Sequence, residues 1–359
     1  MTGASRTYII AEAGVNHNGS VEMARELVGR AAEAGADAVK FQTFVAERSI
    51  SRHARKADYQ EQTTGSDESQ LEMVRKLQLD REAHAQLIGT CQELGIQFLS
   101  TPFDEESADL LCHTFDLPRI KLPSGEITNA PLLLHVARSG KPVILSTGMS
   151  TLCDVEAALG VLAFGYVGEG RSPSRDSFAQ AYASQGGQAM LRDKVSLLHC
   201  TTEYPAPFED VHLRAMATLE AAFGLPVGLS DHTPGTAIPV GAVALGAVII
   251  EKHFTLDRSL PGPDHRASLE PGELNAMCRS IREVEQALGA AMKVPAPSEL
   301  GNREIARKSL VAARPIRAGE QFSATNLTSK RPGGGVSPMY YWEFLDKTAD
   351  KAYEEDEPL

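Results

Sequence analysis

Two lysines stand where a lysine is costly. Lys40 in "AVKFQT" and Lys121 in "RIKLPSGE" each interrupt an apolar run, and an unpaired ammonium in such surroundings is strongly disfavoured. Two arrangements satisfy them. One is a buried ion pair with Glu12, Glu126 or Glu251; the other is an anion cradle completed by Ser124, Ser146 and Thr147 beside glycine-containing turns. A ligand carrying both phosphate and carboxylate would meet both charges, each charge-assisted bond contributing ~1.5–3 kcal/mol. The cradle is the expectation taken forward. His232 in "GLSDHT" and His253 in "IIEKHFT" close two consecutive strand-like segments. On adjacent barrel strands their imidazoles come within reach of one divalent ion. The neighbouring Asp231 and Glu251 supply the oxygen acceptors that metal-bound imidazoles usually have behind them. A hydrogen-bonded rim histidine is the plainer alternative, and His199, mid-strand before Cys200, reads as structural. Glu12 and Glu126 are paired carboxylates for proton transfer or hydroxyl binding, with lysine pairing as the alternative. Asp264 in "GPDHRASLEP" occupies a Pro/Gly loop, where an ordinary turn aspartate is the plainer reading.

These residues share a position in the pattern. Strand-like runs are expected at Tyr8–Ala13, Ala36–Gln42, Gln97–Thr101, Arg119–Leu122, Pro142–Ser146, Ser196–Thr201, Pro226–Leu229 and Ala247–Lys252. Helical patterns alternate with them, including Val21–Ala34, Arg81–Leu94, Glu105–Cys112, Leu152–Leu162, Leu213–Ala222 and Pro271–Leu288. Eight buried strands joined by helices predict a parallel α/β architecture, and eight is the number that closes a (β/α)8 TIM barrel. A doubly wound open sheet is the competing arrangement. Every strand ends in polar or ionisable groups, and the carboxyl ends are where a barrel gathers its site. Besides the residues above, those ends offer Gln42, Thr101, Thr202 and Tyr204.

Three segments break the alternation. Val45–Ser69 is a polar stretch and Gly165–Lys194 is rich in Gly, Ser and Arg; connections this long are expected to be lids or mobile excursions. Met292–Asn302, with Pro295 and Pro297, reads as a linker. The expected organisation is a catalytic barrel over 1–291, a linker over 292–307 and a small β-rich domain over 308–359.

Composition narrows the partners. With 47 acidic against 35 basic side chains the net charge is −12, which argues against nucleic acid or an anionic membrane as partner. The apolar run Ala237–Ile250 is shorter than the ~20 residues a bilayer span requires, and no export signal opens the chain. Five scattered cysteines read as reduced thiols in a cytoplasm.

The motifs "AEAGVNHNG", "VKFQT", "STPFD", "KLPSGE", "LSTGM", "LHCTTEYP", "GLSDHT", "EKHFT" and "GPDHRASLEP" resemble, in order, those of the sialic acid synthase family. The ending "SLVAARPIRAGE…NLTSKRPGGG" is similar to that family's antifreeze-like (SAF) domain. The resemblance implies a (β/α)8 barrel that condenses phosphoenolpyruvate with an open-chain N-acetylated amino sugar, releasing phosphate and a nine-carbon 2-keto acid. It implies that Lys40, Lys121, Ser124 and Ser146 hold phosphoenolpyruvate, with Gln42, Thr101, Phe103, Thr202 and Asp231 also on the substrates. His232 and His253 would bind a divalent cation, manganese first, magnesium or cobalt as substitutes. Glu12, Glu126, Asp264 and Tyr204 would meet the sugar, with Glu12, Glu126, Lys121 and Asp264 carrying the chemistry. Arg331 of "KRPGGG" resembles an arginine inserted into the partner subunit's site, implying a domain-swapped homodimer. N-acetylmannosamine and a 2,4-diacetamido-6-deoxy sugar are both compatible acceptors. Two rivals stand beside this reading: a Schiff-base aldolase or lyase using Lys40 or Lys121, and a non-catalytic sugar-acid binder.

Overall fold

The alternation becomes eight parallel strands in a computed structural model that describes residues 6–359 apart from Ser66 and Glu169, and not the side chains of Tyr59 and Gln62. Ser66 and Glu169 fall within the two expected excursions and lie outside the described residues. The strands are β1 (Tyr8–Gly14), β2 (Ala38–Thr43), β3 (Gln97–Pro102), β4 (Ile120–Leu122), β5 (Val143–Ser146), β6 (Val195–Cys200), β7 (Val227–Asp231) and β8 (Ile249–His253). Their order is β3-β2-β1-β8-β7-β6-β5-β4, and every pairing is parallel. The first strand pairs with the last, Glu12 opposite His253. That pairing excludes the doubly wound sheet and makes a nearly closed (β/α)8 barrel, with β3 beside β4 at the seam.

The helices begin and end where local chemistry directs. Ser20 accepts from the Met23 amide to start α1 (Val21–Glu33). After β2 come α2 (Ala46–Ser49), α3 (Asp58–Thr64), α4 (Gln70–Arg75) and α5 (Arg81–Leu94), the last opened by Asp80 and stopped by left-handed Gly95. Then follow α6 (Glu105–Asp109), α7 (Ala130–Arg138) and α8 (Leu152–Val167). The expected excursion at 165–194 instead supplies the end of α8 and two helices, α9 (Arg175–Ala183) and α10 (Gln185–Lys194). Two of its serines are caps: Ser174 and Ser184 accept from the amides of Ser177 and Gly187. Phe178 of α9 packs edge-on against Phe164 of α8, ring centres 5.2 Å apart. The barrel finishes with α11 (Ala215–Phe223), α12 (Ala237–Ala244) and α13 (Pro271–Leu288).

Strand periodicity sorts the side chains into layers. Ile9, Ala11, Val39, Phe41, Leu145, Leu197, Leu229 and Ile250 belong to the large core that includes the helices. Residues of the other parity, Ile10, Ala38, Leu99, Ile144, Leu198 and Ile249, form a separate cluster that plugs the barrel interior. Two residues further along, the same parity gives Glu12, Lys40, Thr101, Ser146, Cys200 and Glu251. An apolar floor thus carries a polar layer at the carboxyl ends.

Residues 290–359 form a second unit. It holds α14 (Leu300–Ala306) and an antiparallel pair, β9 (Ser309–Ala312) with β10 (Leu327–Lys330). Its own core gathers Leu310, Ile316, Phe322, Leu327 and Tyr353. The helix α14 lies wholly within 292–307, where the composition reads as linker.

Candidate active site

The polar layer lines a cavity of about 310 Å3 within the barrel unit, a volume suited to small ligands. On its floor the lysines take the first of the two arrangements, the buried ion pair, and Ser124 and Ser146 line the same cavity. Lys40 Nζ lies 2.7 Å from Glu12 Oε2 and donates to Thr101 Oγ1 at 3.1 Å. Lys121 Nζ lies 3.1 Å from Glu251 Oε1, which also accepts from Ser230 Oγ at 2.9 Å. All four charged groups are buried. Burial pushes the Glu12 carboxyl up to about 7, although Lys40 opposes the rise. Burial acts upward on Glu251 too, but Lys121, Lys40 and the Ser230 hydroxyl outweigh it and hold the group at about 2. The two carboxylates thus differ in proton affinity because Glu251 has two ammonium neighbours and a hydroxyl donor. Burial also lifts Asp264 to about 6, against the opposing pull of Lys40.

Beside the lysines are hydroxyls awaiting a partner. Ser146 Oγ and Thr202 Oγ1 are buried without a hydrogen bond, a cost a folded protein tolerates where a ligand supplies the missing bond. Ser124 Oγ accepts from the Gly148 amide at 2.9 Å and touches Cys200 Sγ at 3.0 Å. A methyl group on Gly148 would fall 2.3 Å from Thr202 Oγ1 and 2.8 Å from both Cys200 Sγ and Ser124 Oγ. Glycine is required there by close approach, so that three side chains converge on one turn.

His232 and His253 meet at the same cavity, ring centres 5.6 Å apart, with the Tyr204 ring 4.2 Å from His232. The Nδ1–H of His232 donates to the Thr201 carbonyl at 2.6 Å, which fixes the tautomer and leaves the Nε2 lone pair available. His253 Nδ1 is buried with no partner. Burial holds both rings neutral, His232 down to about 4 and His253 well below its ordinary value. Neutral imidazoles with an unsatisfied ring nitrogen fit a divalent cation. Among the described residues no group of three or more His, Cys, Asp or Glu is arranged to hold one, so further ligands would come from substrate or water.

Glu12, Lys40, Gln42, Thr101, Phe103, Lys121, Ser124, Ser146, Thr202, Tyr204, His232, His253 and Asp264 all line this cavity. Four expected residues do not. Glu126 accepts from Asn129 Nδ2 at 2.6 Å beside the start of α7 and is outside the lining. Asp231 has the parity of Leu229 and faces away from the interior, paired with Lys252. Arg331 belongs to the second unit, exposed on its own loop. Thr147 is engaged with the Leu198 carbonyl at 2.9 Å. Conversely, Gln60 enters the lining from the polar excursion, and Gln70, Met73, Val74 and Leu77 enter it from α4 and the residues just after. The amphipathic "QLEMVRKL" was the signal available for the last three.

A sequence profile described as the NeuB family matches residues 27–293, and one described as the SAF domain matches 307–359. The chain belongs to the NeuB family. An N,N'-diacetyllegionaminic acid synthase of Campylobacter jejuni is 52% identical over 98% of this chain and 98% of its own. The Legionella pneumophila enzyme of the same name is 45% identical over 94% of this chain and 88% of its own. Among solved structures, the N-acetylneuraminic acid synthetase of Leptospira borgpetersenii in complex with citrate matches at a TM-score of 0.66 and 31% identity. It covers 83% of this chain and 90% of that one. In this NeuB-family chain the second unit contains the SAF match and begins before it.

Proposed function

We propose that this NeuB-family enzyme joins C3 of phosphoenolpyruvate to the aldehyde carbon of an open-chain N-acetylated amino sugar. Water adds at C2, the C2–O bond to phosphate breaks, and a nine-carbon 2-keto acid and inorganic phosphate leave. The observation that carries this reading is one cavity holding two buried lysines, two unpartnered hydroxyls and two neutral imidazoles. A Schiff-base aldolase would require neither the imidazole pair nor the unpartnered hydroxyls.

The residues divide the work by chemistry. Lys40 and Lys121, with Ser124, Ser146 and Thr202, bind the phosphate and carboxylate and stabilise the charge of the departing phosphate. Glu12 lines the cavity and accepts a proton from the adding water, a role for which Glu126 is turned away. His232 and His253 would hold a divalent cation, manganese first with magnesium or cobalt as substitutes, which when bound polarises the aldehyde oxygen. The cavity lining also includes an apolar wall of Val15, Phe44, Met73, Val74, Leu77 and Phe103, against which the far end of the acceptor would lie. That wall suits a 2,4-diacetamido-6-deoxy sugar, whose terminal carbon is a methyl group, better than a 6-hydroxyl or 6-phosphate. The exposed Arg331 would reach the site of a partner subunit in a swapped dimer. Mixed dimers of Arg331→Ala and His232→Ala subunits would then regain one working site. No described helix is long and apolar enough to cross a membrane, and the free cysteines suit a reducing cytoplasm.

The deciding experiment is phosphate release from phosphoenolpyruvate, screened across N-acetylmannosamine, its 6-phosphate and the 6-deoxy diacetamido sugar. Release dependent on an acceptor, greatest with the last, is expected. Release with no acceptor, or a borohydride-trapped lysine adduct, overturns the reading.

Two substitutions follow from the geometry. Glu12→Gln is expected to lower kcat by about 100-fold or more, the range for a general base. Glu126→Gln is expected to change kcat by less than about threefold, its loss being that of one surface-side hydrogen bond of ~0.5–1.5 kcal/mol. Steady-state kinetics showing the reverse order would reassign the base. Gly148→Ala is expected to weaken phosphoenolpyruvate binding about tenfold or more, overpacking costing ~1–3 kcal/mol. Isothermal titration checks it, an unchanged Kd counting against the cradle.

A further inference from the structure

Lys252 and Asp231 lie behind the cavity wall, yet theirs is the most deeply buried ion pair among the described residues, with side chains 0% and 1% exposed. Lys252 Nζ donates to the Asp231 carboxylate and to the Thr233 carbonyl. Asp231 in turn accepts from the Thr233 amide and hydroxyl, both at 3.1 Å. The residues on either side of His232 are therefore tied to the residue preceding His253. The β7–β8 ladder ends at Asp231 opposite Lys252, one position short of the two imidazoles. Beyond that rung these side-chain bonds take over from backbone pairing.

A buried ion pair is a poor device for stability, because well-packed apolar residues of similar volume do as well or better. Its distinctive capacity is to fix geometry. We propose that Asp231, Lys252 and Thr233 form a positioning clamp that sets the separation of His232 and His253 and thereby the affinity for a divalent cation. The inference rests on the reading that these two imidazoles hold that cation. None of the three clamp residues lines the cavity.

The test uses the full chain and cobalt(II) alone as probe, followed by its visible absorption. The double variant Asp231→Leu/Lys252→Met removes the clamp without stranding a charge. It is expected to keep its circular dichroism while binding cobalt 10–100-fold more weakly, as when groups behind metal-bound imidazoles are removed, with a shifted absorption band. A folded double variant with wild-type affinity and spectrum overturns the clamp. Asp231→Asn preserves shape and carries the same test if the double variant does not fold. A threefold or greater weakening supports the clamp, and an unchanged affinity overturns it. His232→Ala separates the two ideas: if wild type and His232→Ala bind cobalt alike, the cation reading itself fails.

Discussion

Replacing His232 or His253 with alanine is expected to abolish turnover, at least ~1,000-fold in kcat, while circular dichroism and melting stay close to wild type. The size follows from the chemistry: losing a Lewis acid removes several kcal/mol of transition-state stabilisation, and each 1.36 kcal/mol is about tenfold in rate. The fold should survive because each ring lies at the end of the ladder, above the apolar plug, and truncation deletes no strand pairing. Chelation of wild type should give the same loss, reversed by manganese. Near-wild-type rates for both variants in metal-free buffer would refute the assignment, and a loss of only a few-fold would reduce the imidazoles to substrate-orienting groups.

Lys121→Ala is expected to lower kcat/KM for phosphoenolpyruvate by about 100-fold or more, with both a raised KM and slower phosphate loss. One charge-assisted bond contributes ~1.5–3 kcal/mol in the ground state, and its charge is wanted again as phosphate departs. The variant should fold, since Glu251, which loses Lys121, still has Lys40 3.8 Å away and the Ser230 hydroxyl. Initial-rate kinetics and direct binding of phosphoenolpyruvate check it. An effect confined to kcat would transfer the anion-binding role to Lys40 and make Lys121 a proton-handling group.

Most of this site could be read before the fold because it sits on strands. A strand fixes side-chain direction every second residue, so a polar residue at the end of an apolar run has one place to go. Lys40, Thr101, Ser146 and Glu251 followed that rule. Asp231 obeys it as well: the resemblance places it on the substrates, whereas the alternation sends it outward to Lys252. Glu126 lies in a short 3-10 turn, where local hydrogen bonding to Asn129 sets direction and no periodicity exists. The helix α7 went unanticipated although Asn129 and Pro131 mark its start. In 165–194, serine content suggested a loop, yet Ser174 and Ser184 do what serine does best at a helix start. The contribution of Met73, Val74 and Leu77 depends on how the segment after β2 returns over the barrel, a tertiary matter.

The pairing of β1 with β8 has a consequence for the order in which the enzyme comes into being. A ribosome delivers Glu12 and Lys40 early, but the strand that places His253 opposite Glu12 and Glu251 beside both lysines emerges only near the end of the barrel sequence. Until then β1 presents an open edge, the kind of surface that recruits other chains. No shortened product ending before residue 249 can carry a working centre. The chamber is complete only when β8 is in place, because Glu251 and His253 both belong to that strand.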